Sequence, residues 1–305
     1  MLYFADLEQQ IISVSIRAAL TGALIVLVSA LIAVSTERRL KKRQFKKLKF
    51  PLFAIIVATV VAVTSFLTYN TIYLNVVSES KGPVHWHADI EYWACGSEIE
   101  FRDPTGFLSN KIGTSTYHEH NDKRIHLEGV VVDKARDASL GKFLDVTGGY
   151  INDDAIGIPI NEDRENWLVT GEQQDGDRQD TGFLSVMDRY VTESTSGDLV
   201  LNLNSGSVDC GDGTGELQVF VYQYDEGTKT YTQTKLDDPA AYVIRDDSLV
   251  PPGDCIIVDF DTPKELTDRI CEQYGVRDSE RCTEFGVKEY DPDLCNIRFV
   301  GHGGM

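Results

Sequence analysis

Two short stretches of the chain hold five of its six histidines: residues 85–91, HWHADIE, and residues 117–128, YHEHNDKRIHLE. Because side chains alternate between the two faces of a strand, each His-x-His pair would place both imidazoles on one face. The sequence Asn-Asp-Lys-Arg at 121–124 favours a hairpin turn, followed by a returning strand with the fifth histidine. The imidazoles collected in this way are His85, His87, His118, His120 and His126.

Imidazoles on neighbouring strands suit ions such as copper and zinc, whereas hard ions prefer oxygen ligands. We therefore predict a site for a transition metal, copper or zinc, with three or four of the five histidines as ligands. Asp122, Glu128 or Glu91 would be a further ligand or would orient a ring through a hydrogen bond. No Met or Cys lies beside these histidines, so a blue-copper centre is not expected. The alternative is a polar hairpin in which histidines and carboxylates satisfy one another without metal.

The elements that position these residues begin with a predicted membrane anchor, residues 1–78. Residues 18–36 and 50–78 are apolar and uncharged. A helix needs ~20 residues to cross the hydrocarbon core; the first segment is close to this length and the second exceeds it. Between them, residues 37–49 contain eight Lys or Arg and one Glu. The positive-inside rule places this basic loop in the cytoplasm. We therefore expect a cell-membrane protein with two transmembrane helices and residues 79–305 outside the cytoplasm.

The charge is divided between the two parts of the chain. Residues 1–77 contain nine Lys and Arg against three Asp and Glu, whereas residues 78–305 contain 20 against 45. An acidic surface of this kind repels nucleic-acid phosphates, so nucleic acid is not expected as a partner. The expected partners are the membrane and, as a further candidate, another envelope protein.

All six cysteines lie in the part assigned to the outside. An even number of cysteines in an oxidising compartment favours disulfides. Cys271 with Cys282 or Cys295, and Cys210 with Cys255, are plausible pairs, but six cysteines allow 15 connectivities and the sequence does not choose among them. The disulfide candidates are Cys95, Cys210, Cys255, Cys271, Cys282 and Cys295.

The outer part is predicted to be a β-rich α+β domain, with a hairpin-based mixed or antiparallel sheet, short helices and disulfides. Strands are expected at 85–93, 97–101, 216–224 and 255–260, and Ser139 is expected to cap a helix that runs to about Val146.

Two regions of this domain have weaker patterns. Residues 150–215 are rich in Asp, Gly, Asn, Ser and Thr and predict a loop-rich acidic excursion with a strand at 198–203. Residues 262–305 predict a helical, Cys-containing tail, with one helix from Thr262 to about Tyr274 and a second over 279–285.

The order His-x-His-Ala, Ile-Gly, His-x-His-Asn-Asp, Ile-His-x-Glu and Leu-Gly-x-Phe-Leu resembles an uncharacterised family of extracytoplasmic domains. Its members come from archaea and some bacteria, are often membrane-anchored and carry the pattern HxH…HxHD…IHxE…LGxFF. This chain departs from the pattern by inserting Asn121 and by its acidic excursion. Because the family has no settled activity, the resemblance implies the site more than a function. The matching residues are His85, His87, His118, His120, Asp122, His126, Glu128, Leu140, Gly141 and Phe143.

Three functions compete at this level. The first is a tethered module that captures or buffers copper or zinc. The second is a cupin-like metal-dependent enzyme, since His85-x-His87-x-x-x-Glu91 fits the first cupin motif, although the expected second motif is replaced by the histidine hairpin. The third is a structural or envelope-assembly protein without metal. No nucleophile motif is present, so we assign no catalytic residue and favour binding over catalysis.

Overall fold

Two compact units make up the chain, one formed by residues 1–83 and 130–132 and the other by residues 84–129 and 133–305. The computed structural model describes residues 7–105, 110–161, 168–169, 187–194, 197–225, 230–246 and 253–272. The predicted second helix at 279–285, Cys282 and Cys295 lie outside these residues.

The first unit contains two long apolar helices, α1 (Leu7–Arg39) and α2 (Lys42–Val77). Both are long and apolar enough to cross a membrane, which agrees with the predicted segments 18–36 and 50–78. Large apolar side chains cover their outer surfaces; Phe50 is 76% exposed and Leu20 is 66% exposed. A side chain of this kind is stable in contact with lipid and costly in contact with water.

The predicted basic loop at 37–49 is mostly helical. Only Leu40 and Lys41 interrupt the helices, because α1 continues to Arg39 and α2 begins at Lys42. Lys and Arg are good helix formers, so the positive charges extend the two apolar helices instead of forming an irregular loop.

The two helices contact each other closely. The side-chain amide of Asn70 donates to Ser15 Oγ over 3.2 Å. A Cβ atom at Gly22 would come within 2.7 Å of Val63 Cγ2, so glycine permits the approach. Small residues and interhelical hydrogen bonds of this kind are typical of helix pairs in membranes.

The second unit is built on two sheets of β-strands. The strands, in chain order, are β1 (Pro83–Ala94), β2 (Ser97–Ile99), β3 (Ile112–Gly113), β4 (Tyr117–Glu119), β5 (Arg124–Val130), β6 (Tyr150–Ile151), β7 (Ala155–Ile160), β8 (Leu168–Val169), β9 (Val191–Glu193), β10 (Leu199–Asn204), β11 (Glu216–Asp225), β12 (Thr230–Lys235) and β13 (Asp254–Asp261). The larger sheet has nine strands, seven of them in the order β12-β11-β13-β1-β5-β4-β3, with β2 beside β1 and β8 beside β2.

The sheet is mixed, which is one of the two forms predicted. Strand β1 runs parallel to β13, with Ala88 opposite Asp254 and Ala94 opposite Phe260, and antiparallel to β2. Strand β11 pairs with β13 in the antiparallel direction. All eight residues of β13, DCIIVDFD, are buried, including its three aspartates, so the strand is covered on both faces.

Two short helices, α3 (Lys134–Asp137) and α4 (Leu140–Thr147), lie beside this sheet. The hydroxyl of Ser139 accepts a hydrogen bond from the backbone N–H of Lys142, which confirms the predicted N-cap. Phe143, fully buried in α4, contacts the ring of Tyr117 with 5.5 Å between centroids. Helix α4 therefore packs on the sheet face to which Tyr117 points.

The region predicted to be a loop-rich excursion contains a second sheet. Its four strands lie in the order β6-β7-β10-β9. The predicted strand at 198–203 corresponds to β10, and β7, with the sequence AIGIPI, is buried throughout. The many Asp, Asn and Gly residues between these strands obscured the short apolar runs. Residues 162–167, 170–186 and 195–196 of the excursion lie outside the described part.

The helix predicted to begin at Thr262 is absent from residues 262–272; the remainder of the predicted helical tail lies outside the described residues. Side chains from the sheet occupy the backbone groups that a helix would use. Gln218 accepts from the backbone N–H of Lys264, and Gln233 accepts from that of Thr267. The hydroxyl of Tyr222 donates to the Thr267 carbonyl. Tertiary hydrogen bonds therefore override the local capping signal.

Two disulfides are present, Cys95–Cys210 and Cys255–Cys271. Both differ from the expected pairs: Cys210 is bonded to Cys95 and not to Cys255, and Cys271 is bonded to Cys255 and not to Cys282 or Cys295. Cys255 lies in β13 and Cys95 follows β1 directly. The Cys255–Cys271 bond joins residues only 16 positions apart, whereas the Cys95–Cys210 bond joins residues 115 positions apart and therefore depends on tertiary contacts.

Candidate metal centre

The histidine hairpin forms as the sequence predicts. Strands β4 and β5 are antiparallel, with His118 directly opposite His126. The turn is fixed by Glu119, whose Oε1 accepts from the backbone N–H groups of Asp122 at 2.7 Å and Lys123 at 3.2 Å. Because His118 and His126 are cross-strand neighbours, their rings stack, with 5.6 Å between centroids.

Strand β3 approaches His118 through a glycine. Gly113 lies opposite His118 and has a φ of 108°, a conformation that other residues rarely adopt. A Cβ atom there would lie 2.5 Å from the Tyr117 carbonyl oxygen and 3.1 Å from the Cα of His118. The Ile-Gly pair therefore lets an edge strand cover the histidine hairpin.

Strand β1 brings the other two histidines to the same group. His85 and His87 lie on one face of β1, with ring centroids 4.6 Å apart, and the ring of His87 contacts that of His126 at 4.8 Å. One nitrogen from each of His85, His87 and His126 lies within 4.8 Å of the others. We call these three residues the histidine triad.

His118 and His120 adjoin this triad. The ring of His120 lies 4.8 Å from those of both His118 and His126. Its Nδ1 atom contacts the backbone carbonyl of Asn110, which leaves Nε2 as the nitrogen available to a ligand. All five predicted histidines are therefore connected ring to ring, while only three bring their nitrogens close enough together to form a group around one ion.

Two carboxylates contact the imidazoles. Glu128 lies between two rings, with Oε1 3.0 Å from His85 Nε2 and Oε2 3.9 Å from His118 Nε2. Asp122 Oδ2 lies 3.1 Å from His126 Nε2. Both residues were predicted to lie at the site. Carboxylates in such positions fix the tautomer and orientation of a metal-binding imidazole.

Glu91, the third predicted carboxylate, is used elsewhere. Its Oε2 accepts from the indole N–H of Trp93 over 3.2 Å and its Oε1 from the backbone N–H of Glu272 over 2.6 Å. These bonds tie β1 to the segment after β13. The cupin-like spacing from His85 to Glu91 is thus present in the sequence, but the contacts of Glu91 are with Trp93 and Glu272.

Burial determines the protonation of the hairpin histidine. His118 is 1% exposed, and burial, assisted by the charges of Lys111 and His120, lowers the pKa of its imidazole to about 4. Its Nδ1 atom is buried without a hydrogen-bond partner. His118 is therefore neutral at pH 7, which is the form that binds metal.

The pKa of Asp122 responds to opposing effects. Burial raises it, but the hydrogen bond and charge of His126, together with the charge of Arg124, more than offset this, so the pKa lies below its usual value. Asp122 is accordingly an anion at neutral pH and favours the orientation in which His126 Nε2 faces it.

Asp89 is a residue at this face that the sequence reasoning did not single out. It follows His87 by two positions on β1 and is 2% exposed. Its Oδ1 accepts from Arg124 Nε over 2.9 Å, while its Oδ2 is buried without a hydrogen-bond partner. Burial, only partly offset by Arg124, raises the pKa of Asp89 to about 6. The signal that would have found it is the alternation His85-x-His87-x-Asp89.

No family model, curated protein or solved structure matches this chain. The resemblance to the uncharacterised extracytoplasmic family therefore stays a prediction, carried by the motif residues alone.

Proposed function

We propose that this protein is a membrane-anchored module that binds copper or zinc outside the cytoplasm through the histidine triad. The observation that carries the proposal is the convergence of His85, His87 and His126, whose ligand atoms lie within 4.8 Å of one another. His126 follows His87 by 39 positions and lies on a different strand, so local sequence alone does not bring the three residues together.

The surroundings of the triad support a metal over a simple polar hairpin. In a hairpin that merely satisfies its own polar groups, each buried nitrogen would have a partner. Here His118 Nδ1 and Asp89 Oδ2 are buried without one, and both belong to the histidine-bearing face. Unused lone pairs beside a group of imidazoles are expected where an ion completes the network.

The proposed ligands are the three triad imidazoles, with His118, His120 or Glu128 as the source of a fourth. Two nitrogens bound to one tetrahedral zinc lie ~3.4 Å apart, given Zn–N bonds of 2.0–2.1 Å. The triad nitrogens lie within 4.8 Å of one another, and binding of zinc would bring them to the tetrahedral spacing. Nitrogen-rich ligation of this kind suits zinc and copper(II).

The location outside the cytoplasm rests on three observations. The two apolar helices are candidate membrane spans, and the positive residues between and beside them favour a cytoplasmic position for residues 37–49. The two disulfides of the second unit favour an oxidising compartment.

The experiment that tests the proposal is elemental analysis of the detergent-solubilised full chain, produced with its disulfides formed. We expect about one copper or zinc per chain, and its loss in the double variant His87→Ala/His126→Ala. His302→Ala, which alters the sixth histidine, is the matched control and is expected to retain the metal. A folded, disulfide-bonded chain that takes up neither ion would overturn the proposal and favour a structural role.

A further inference from the structure

A cavity of about 200 Å³ lies where β1 changes its pairing partner. Near its middle, β1 contacts the start of the returning hairpin strand, since the Ile90 backbone N–H donates to the Lys123 carbonyl over 2.9 Å. Two residues later, Tyr92 is paired with Ile99 of β2. The hairpin strand and β2 therefore lie along the same edge of β1, one after the other, and the cavity lies between them.

Two residues that line this cavity each have a buried oxygen without a hydrogen-bond partner. These oxygens are the hydroxyl of Tyr92 and Oε2 of Glu119, from lining residues that are only 3% and 2% exposed. The orientation of the Glu119 carboxylate is fixed, because its other oxygen accepts hydrogen bonds from the backbone N–H groups of Asp122 and Lys123. Since burying a polar group without a partner is costly, the pair indicates a ligand that supplies the missing hydrogen bonds.

The inner wall of the cavity is aromatic. The ring of Tyr92 stacks on that of Phe101 with centroids 5.4 Å apart, and Phe101 stacks on Phe143 at 6.0 Å. Ile99, 2% exposed, completes the apolar side. An apolar cavity of about 150 Å³ is sufficient for benzene, so this one has room for a small organic molecule.

The charges at the cavity favour a cation. Four glutamates line it, Glu91, Glu98, Glu100 and Glu119, and the lining lysine, Lys123, is paired with Glu98 over 2.7 Å. In the described part of the chain, the histidine triad is the group whose ligand atoms are close enough for a metal ion; the glutamates do not converge in this way. An organic cation therefore fits the lining better than a metal ion.

We propose that this cavity binds a small organic cation, a primary ammonium group on a short apolar stem. The ammonium group donates to Glu119 Oε2 and to the hydroxyl oxygen of Tyr92, and the stem lies against Phe101 and Phe143. The site is distinct from the proposed metal centre, because Glu119 points to the opposite face of β4 from His118 and His120. The proposal does not depend on metal binding by the triad.

Isothermal titration calorimetry on the detergent-solubilised full chain tests this, with n-butylammonium chloride as the probe. We expect saturable binding of one equivalent. Two compounds separate charge from hydrogen bonding: 1-butanol has the stem without the charge, and tetramethylammonium has the charge without N–H donors. Both are expected to bind at least tenfold more weakly, and calcium chloride is expected to give no heat at the cavity.

Two conservative variants locate the binding. Glu119→Gln keeps an oxygen for the turn but loses the charge, and Tyr92→Phe loses only the hydroxyl; each is expected to weaken binding at least tenfold. Glu193→Gln and Tyr150→Phe, which change an acid and a tyrosine of the second sheet, are the matched controls and should bind as the wild type does. His87→Ala should also bind normally.

Stability distinguishes a lost ligand from a lost fold. Because the Tyr92 hydroxyl has no partner, Tyr92→Phe without amine is expected to unfold at a temperature equal to or above that of the wild type. The proposal is overturned if n-butylammonium gives no saturable heat, if 1-butanol or calcium binds as well, or if both cavity variants bind normally. Each of these results would leave water as the occupant of the cavity, or place the amine elsewhere.

Discussion

At the scale of single residues, Glu128 is the carboxylate that joins the two histidine stretches, since it contacts both His85 and His118. We predict that Glu128→Gln weakens zinc affinity 10- to 100-fold, the usual effect of removing a group that orients a metal-binding imidazole. The side chain is 41% exposed, so stability should change little. Competition with a chromophoric zinc chelator measures the affinity.

The control for this variant is Glu216→Gln, which alters an exposed glutamate at the start of β11. It should bind zinc as the wild type does. Equal affinities for the Glu128 and Glu216 variants would show that the carboxylate between the two rings has no part in holding the metal.

Asp254 gives a residue-scale prediction about pH. Burial raises its pKa, although hydrogen bonds from the Arg245 backbone N–H and the Tyr242 hydroxyl, both 2.8 Å long, act in the opposite direction. The folded chain therefore retains a proton on Asp254 at pH values where the unfolded chain has released it. The contribution of Asp254 to the free energy of unfolding should fall as the pH rises above ~4.

Urea unfolding of the wild type and Asp254→Asn at pH 4, 5, 6 and 7 measures this contribution. The variant has no carboxyl group to titrate at this position, so the wild type should lose stability relative to it as the pH increases. A difference that stays constant, or that changes in favour of the wild type, would contradict the direction of the shift.

At the scale of elements, local patterns predicted those pieces whose contacts are close in the sequence. The alternation of histidines predicted their shared faces on β1 and on the β4–β5 hairpin, and Ser139 predicted the start of α4. The capping signal at Thr262 failed because Gln218 and Gln233, from distant strands, bind the backbone that a helix would have used.

The same distinction between local patterns and tertiary contacts applies to the residues of the candidate site. The five histidines, Asp122 and Glu128 could be identified from the sequence, because each belongs to a short motif. Which three nitrogens converge could not, since this depends on how β1 and β5 lie side by side in the sheet. Asp89 and the cavity at Tyr92 were missed for a related reason: both are defined by burial and by unpaired atoms, which the sequence does not display.

The disulfides supply a prediction at the element scale. Non-reducing peptide mapping should recover Cys95 linked to Cys210 and Cys255 linked to Cys271. In the chain-entropy description, a cross-link stabilises more as the loop it closes becomes longer. The two bonds span 115 and 16 residues, so we expect the paired alanine variants to lose about 5 and about 3 kcal/mol of unfolding free energy, respectively.

Urea unfolding of the two double variants, both kept in oxidising buffer, provides the comparison. A larger loss on removal of Cys255–Cys271 would indicate that local packing around the buried pair outweighs the entropy of the long loop. Linkage of Cys95 or Cys255 to any other cysteine would contradict the two disulfides of the structure.

At the scale of the whole molecule, the asymmetry of charge and hydropathy separates an apolar, basic part from an acidic β-rich part. The two helices of the first unit, both candidate membrane spans, expose leucine and phenylalanine side chains, which contact with lipid would cover at low cost. This division was readable from composition, because it depends on stretches of twenty or more residues and not on any tertiary contact.

The membrane orientation is testable with epitope tags in spheroplasts. A tag after residue 305 should be removed by external proteinase K, whereas a tag inserted between Leu40 and Lys41 should be removed only after detergent opens the membrane. Replacing the Lys and Arg residues of 37–49 with Gln should produce a mixed orientation. Protection of the C-terminal tag in intact spheroplasts would contradict the proposed location.

The measurement that tests the proposed metal centre most directly is X-ray absorption spectroscopy of the full chain loaded with one equivalent of zinc. We expect nitrogen or oxygen ligands at ~2.0–2.1 Å, outer-shell scattering from at least three imidazole rings, and loss of that scattering in His87→Ala/His126→Ala. Sulfur at ~2.3 Å, or a hydrated ion without imidazole scattering, would contradict binding by the histidine triad.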